Sequence, residues 1–346
     1  MPAVVRAVLT TVARAVVMLF ALSCSSPSTP AGSDSLIVAF DSLWQRYDRT
    51  YPYFEYKHID WDAARANFRA RAARANSAEE LAAIVRQMLG ALRDVHSSMS
   101  SPAGAWVPTY TTNGAAFNYR LPVWREYLRR AGGTELPADW GYGHFGPVPY
   151  LYFASWTAGK FTVAAVDSVL EKFRDAPALV IDVRMNGGGS DELSYGVATR
   201  FFDAPHVTGS VQFRNGPRHS DLSDPIVRTL APRGSWQFRR PVLLLTGRAV
   251  FSSAENFTMA MRVLPHVTVV GDTTGGGSGN PTQYRLAGGW RYNLPRWLER
   301  TAGGDIVEWR GLAPSLVIPF STADFEAGRD PVLDYAIAWA ATAGRR

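Results

Sequence analysis

Pro241-Val-Leu-Leu-Leu-Thr-Gly-Arg-Ala-Val-Phe-Ser-Ser-Ala-Glu-Asn-Phe257 holds a strand, a turn and the start of a helix in one short run. The apolar residues Pro241 to Thr246 predict a buried strand and Gly247 to Val250 a turn. Phe257, Met261 and Leu264 then recur on one face of a helix that opens at Ser252 or Ser253. A strand that feeds a turn with a Ser at the helix mouth exposes the hydroxyl and points neighbouring backbone N–H groups the same way, which makes Ser252 a candidate nucleophile. Ser252-Ser-Ala-Glu255 also fits a capping box, in which the Ser caps the helix and the Glu folds back onto its backbone. On this segment alone both readings stand.

Outward from this run, strand and helix patterns alternate. Upstream, Pro149 to Ala154 predicts a strand, Phe161 to Arg174 an amphipathic helix and Ala178 to Val183 a buried strand, and Asp191 to Phe202 a further helix. Between the last two lies Arg184-Met-Asn-Gly-Gly-Gly189. Glycines between a strand and a helix allow a sharp turn and can present N–H groups to an oxyanion, although the same turn can bind nothing. Strands are expected around Val211 to Arg214 and Ser235 to Arg239. Downstream, His266 to Gly271 reads as a strand and leads into Asp272-Thr-Thr-Gly-Gly-Gly-Ser-Gly-Asn-Pro281. This second loop has no Gly-Lys-Ser/Thr and precedes strand-like residues, so it is read as a flexible loop at a cleft edge rather than a nucleotide cradle. Arg291 to Leu294, Asp305 to Trp309 and Leu316 to Pro319 are strand-like, and Pro331 to Ala341 predicts a closing helix.

Residues 34–100 predict a small helical N-terminal domain: Leu36, Phe40, Leu43 and Trp44 keep helical spacing, as do Trp61, Ala64 and Phe68, and Ser77-Ala-Glu-Glu80 caps a third helix through Leu92. It ends in Asp94-Val-His96-Ser. A His just past a helix end is ordinarily a cap or a solvated residue. Residues 101–147 form an irregular connecting segment rich in Gly, Pro and aromatics, and residues 148–346 form the core.

Of the 346 residues, 47% are apolar, enough for a sizeable core. The net charge of +6 includes Arg6, Arg14, Arg345 and Arg346 at the ends, and no basic run interleaved with aromatics supports nucleic-acid binding. Residues 1–24 have the pattern of an export signal, and 25–33 a flexible polar tether. The single cysteine, Cys24, follows Ala21-Leu-Ser23, which resembles a bacterial lipoprotein signal with an imperfect first residue. An ordinary signal peptide with an incidental Cys is the alternative. The expected location is the bacterial cell envelope or periplasm, with a lipid anchor at Cys24.

In fixed order the chain carries Asp94-Val-His96-Ser, Asp182-Val-Arg-Met-Asn-Gly-Gly-Gly189, Ser252-Ser-Ala-Glu255 and Glu308-Trp-Arg-Gly-Leu-Ala-Pro314. Together these resemble the peptidase family of the tail-specific proteases, the tricorn core protease and the interphotoreceptor retinoid-binding proteins. The resemblance implies an α/β fold with a crotonase-like (ClpP-like) spiral of ββα units. It implies Ser252 as nucleophile, His96 as general base, Glu308 as a supporting carboxylate, and oxyanion donors at Gly188 and Ser253, with Gly187 and Gly189 as alternatives to Gly188. It implies a peptide or unfolded protein as substrate, with no cofactor or metal. The tail-specific branch pairs its Ser with a Lys in the second Gly-rich loop; here that loop has none, and no Lys follows Lys172. Val95 stands where the tricorn-like pattern has Ser, and 101–147 is short for a PDZ domain. The rival reading is a non-catalytic binder, with Tyr110, Phe117, Tyr119, Trp124, Trp140 and Tyr142 lining an apolar pocket or simply packing a junction. Asp182, Arg184, Asn186 and Glu255 are expected to be scaffolding.

Overall fold

A computed structural model describes residues 33–111, 116–135 and 139–343; the expected leader and Cys24 lie outside them. Val242–Thr246 is an interior strand, third from one edge, of a seven-stranded sheet. All five of its residues are buried, because helices cover both faces, and a parallel strand covered on both faces reads as a continuous apolar run. Leu179–Asp182 pairs with it in parallel on one side and Val267–Gly271 on the other. Val148–Phe153 continues the parallel run beside Leu179–Asp182, and Leu316–Val317 closes the far edge. Trp140–Phe145 and Thr134–Glu135 extend the sheet antiparallel.

The sheet's two faces build two cores. One packs Val166, Val197, Phe201 and Phe257 against Leu179, Ile181 and Leu244, through the helices Val163–Lys172, Asp191–Ala198 and Ser253–Arg262. The other packs Val180, Leu243 and Leu245 against Trp124 and Leu333, from the helices Leu121–Arg130 and Pro331–Ala343. Alternate residues of one strand thus serve opposite cores, which follows from the strand's two-residue period. A buried ion cluster locks the far helix to the sheet: Arg184 bonds Asp182 at 2.8 Å and Asp330 at 2.9 Å, and its Nη1 also donates to the Asn118 carbonyl.

The helices Ser33–Thr50, Trp61–Ala72 and Ala78–Gly90 form the N-terminal region. Ser77 caps the third by accepting from Glu80 N, and Glu80 Oε2 accepts from Asn76 N. Their core is aromatic, with Tyr47, Tyr51, Tyr53, Phe54 and Trp61 all buried, and it continues into Leu286, Tyr292, Leu294 and Leu298. Buried tyrosines need partners for their hydroxyls. Tyr47 donates to the Asn293 carbonyl and Tyr51 to Asp94, while Tyr53 accepts from Glu299 N. The helical region is thus a lobe sharing its core with the antiparallel hairpin Thr282–Arg285 and Arg291–Leu294, and the described residues form one compact unit.

Several local expectations shift. The segment 101–147 contains the helix Leu121–Arg130 and the sheet strand Trp140–Phe145. No strand forms at Ser235 to Arg239; Ile226–Leu230 takes that place beside His206–Phe213. Asp305 to Trp309 makes only an isolated bridge, Ile306 to Arg300, before a turn with Trp309 at φ 68° brings Glu308 inward. Among the described residues no helix is long and apolar enough to cross a membrane.

Candidate active site

Ser252 lies at the end of the turn after the strand Val242–Thr246, with φ 56° and ψ −128°. That region is sparsely populated for a residue with a side chain and costs about 1–3 kcal/mol. Its hydroxyl makes no capping bond, and Glu255 does not fold back: Glu255 Oε1 accepts from Thr274 Oγ1 and Gly276 N, and Oε2 from Gly277 N. The capping-box reading therefore fails. Ser252 is held by its backbone, its N–H donating to the Gly277 carbonyl at 3.2 Å.

The two glycine-rich turns pack against the residues around Ser252. A Cβ on Gly188 would stand 2.8 Å from Ser252 Cβ, and one on Gly277 would enter the Phe251 ring. Asn186 ties the first turn to the Ser252 turn: its carbonyl accepts from Phe251 N, and its side chain accepts from Gly188 N at 2.9 Å. The Gly188 N–H is thus already engaged, which corrects its expected role: Gly188 provides close approach, at φ 105°, rather than a free donor. The N–H groups of Gly189 and Ser253 have no acceptor among the described residues, and both residues line the cleft. The second loop, expected to be flexible, is pinned by Glu255 and by the contact of Gly275 and Gly277 with Phe251. Burial pushes the Glu255 carboxyl up to about 7 even though hydrogen bonds from Thr274, Gly277 and Gly276 pull it down.

His96 and Ser252 line one cleft of about 460 Å³, together with Asp191, Asn256, Ser278 and Glu299. The imidazole lies over the Phe251 ring, with centroids 4.7 Å apart. Its Nδ1 is buried without a hydrogen-bond partner, and no bond joins the ring to Ser252 among the described residues. Burial lowers the pKa of His96; Asp94 opposes this, while Lys57 adds to it. A neutral imidazole is the form able to take a proton.

Glu308 does not touch the imidazole. Its Oε1 lies 2.6 Å from Lys57 Nζ and its Oε2 accepts from Ser278 N at 3.0 Å, so it stands one layer behind the cleft. Burial and then the Asp94 carboxylate raise its pKa above the usual carboxylate range, against the pull of Lys57. Asp94 is nearer His96: its Oδ1 accepts from His96 N at 2.9 Å. Lys57 was not a candidate from the sequence, yet a lone Lys in Tyr51-Pro-Tyr-Phe-Glu-Tyr-Lys57 is a signal of a buried cation. Asn256 and Glu299 were also missed as cleft residues.

The aromatics considered for an apolar pocket do not converge. Trp124 lies in one core and Trp140 in the other, Tyr142 packs on Phe173, and Phe117 stacks on Tyr119. Among the described residues no group of His, Cys, Asp or Glu could hold a metal ion.

The strand, strained serine, paired glycine turns and imidazole-lined cleft make up one α/β site. The profile of peptidase family S41 matches residues 148–318, and that of the tricorn protease C1 domain residues 38–90. Residues 148–318 thus belong to peptidase family S41. The chain is 32% identical over 227 residues to tricorn protease homolog 1 of Streptomyces coelicolor, covering 63% of this chain and 18% of that protein. It is 26% identical over 175 residues to the carboxy-terminal processing protease CtpA of Bacillus subtilis, covering 50% of this chain and 34% of that one. The chain thus spans only about a third or less of these curated relatives. A crystal structure from Parabacteroides merdae superposes with a TM-score of 0.76 at 28% identity, covering 87% of this chain and 95% of its own.

Proposed function

We propose that the protein is a serine peptidase acting on peptides or unfolded proteins. Ser252 Oγ attacks the scissile carbonyl while the His96 imidazole takes its proton. The tetrahedral oxyanion is met by the N–H groups of Ser253 and Gly189, and His96 then returns the proton to the leaving amine as the C–N bond breaks. Water, deprotonated by the same imidazole, releases the acyl group. Glu308 holds Ser278 and so shapes the cleft wall beside His96. The observation that carries this reading is the backbone of Ser252, strained and uncapped at the mouth of a buried helix, with its side chain in the cleft that His96 lines. Strain of this kind gathers at reacting residues.

A fluorophosphonate probe tests it. The wild type is expected to be labelled at Ser252, and Ser252→Ala to be inert; equal labelling of both would remove the assignment. We also propose export with a lipid on Cys24, supported by the leader pattern alone. Mass spectrometry of the mature N-terminus decides that: an unmodified residue other than Cys24 refutes it.

A further inference from the structure

We propose that Lys57 is a positioning residue for the imidazole: it clamps the Asp94 and Glu308 carboxylates together and through them fixes the two segments that bracket His96. This rests on the assignment of Ser252 and His96 above. The Lys57 side chain is fully buried, with Nζ 2.6 Å from Glu308 Oε1 and 3.4 Å from Asp94 Oδ2, and it also donates to the carbonyls of Leu92 and Arg93. Each carboxylate uses its other oxygen on a segment that borders the base. Asp94 Oδ1 holds His96 N, and Glu308 Oε2 holds Ser278 N, whose hydroxyl in turn bonds Glu299 at 2.6 Å. One ammonium thus joins the imidazole's own segment to the opposite cleft wall.

Stability does not account for this arrangement. A buried ion cluster pays a desolvation penalty that well-packed apolar residues avoid, so its net contribution to folding is small. Its geometry has a different effect. With the cation removed, two buried carboxylates face each other and must separate or take up a proton, and either change moves the 94–96 segment against the Ser278 loop. A displacement of about 1 Å in a reacting group can cost on the order of 10²-fold in rate.

The charge change also has a sign. The groups facing His96 are Asp94 on its own segment, Lys57 from the segment after the first helix with Glu308 behind it, the Ser278 backbone from the Gly-rich loop, and the Phe251 ring. Without Lys57 the remaining charge is negative and favours the imidazolium. The acid limb of the rate profile then moves to higher pH, because more alkaline solution is needed to keep the base neutral.

The experiment is the rate of fluorophosphonate labelling of the full chain against pH, for wild type, Lys57→Met, Lys57→Arg and the charge-matched double variant Lys57→Met with Glu308→Gln. Lys57→Met is expected to label about 10²-fold more slowly, with its acid limb displaced upward. Lys57→Arg is expected to recover part of the rate with the limb near its original place. Should Lys57→Met not fold, the double variant, which leaves Asp94 as the single carboxylate of the cluster with no second one facing it, carries the same expectation of slow labelling. A folded Lys57→Met or double variant that labels at the wild-type rate overturns the proposal. So does a slow variant with an unmoved limb and no recovery by Arg, which would mark Lys57 as structural only. Failure of the wild type to label at Ser252 would instead refute the peptidase reading.

Discussion

Gly188 and Ser252 touch across the gap between two turns that are far apart in the chain: the nearest atoms to a Cβ on Gly188 would be the Phe251 carbonyl oxygen at 2.7 Å and Ser252 Cβ at 2.8 Å. Neither can yield without moving the turn that carries the hydroxyl. Gly188→Ala is therefore expected to slow fluorophosphonate labelling by about 10²-fold while the fold survives. The positive φ of 105° adds strain of about 1–3 kcal/mol, which a urea denaturation would register. A variant with wild-type labelling would show that the two turns are not rigidly coupled.

Ser252 pays for its position in backbone strain, and glycine would not. Ser252→Gly is expected to abolish labelling and to raise stability by about 1 kcal/mol, because φ 56°, ψ −128° is open to a residue without Cβ. The gain is partly offset by the greater freedom of glycine in the unfolded chain. Denaturant midpoints of the two proteins decide it; a less stable Ser252→Gly would mean the turn is not strained.

The rate of labelling should keep its full value to a pH below the ordinary imidazole value of about 6.5. Burial lowers His96, Lys57 reinforces this, and Asp94 only partly offsets it. The base stays neutral, and so active, until protonated at that lower pH. A pH profile with its acid midpoint above 6.5 would contradict this electrostatic account.

Glu255 gives a stability signature of known sign. Its folded pKa, raised to about 7 by burial, exceeds the unfolded value, so its contribution is fully present below about 4.5 and is lost as pH rises through 7. Wild-type stability is expected to decline across that window, and Glu255→Gln to decline less, because it has no proton to lose there. The variant also leaves one of the donors from Gly276, Gly277 and Thr274 unmet, a cost of about 1–3 kcal/mol. Urea denaturations at pH 5 and pH 7.5 test both parts.

The strand and helix around Ser252 were legible because local pattern and tertiary burial agree there: Val242 to Thr246 is apolar without a break, and the helix that follows keeps its face. Capping box and nucleophile could not be separated in the sequence, since they differ only in the φ of Ser252 and in the direction Glu255 turns. Glu308 was expected near the site from the family resemblance, but the resemblance does not reveal that Lys57 stands between Glu308 and Asp94. Trp124 and Tyr127 sit on a helix missed because Pro122 and the neighbouring Arg residues blur its period. The Ser278 loop looked mobile from its glycines; the same absence of side chains is what lets Phe251 and Glu255 seize it.

The imidazole's support is drawn from both ends of the chain: Lys57 and Asp94 come early, Ser278 and Glu308 late, and the helices around them are sealed by a hairpin near residue 290. During synthesis the imidazole's support therefore stays incomplete until the segment bearing Glu308 has been made. The proposed reaction is thereby delayed until late in synthesis.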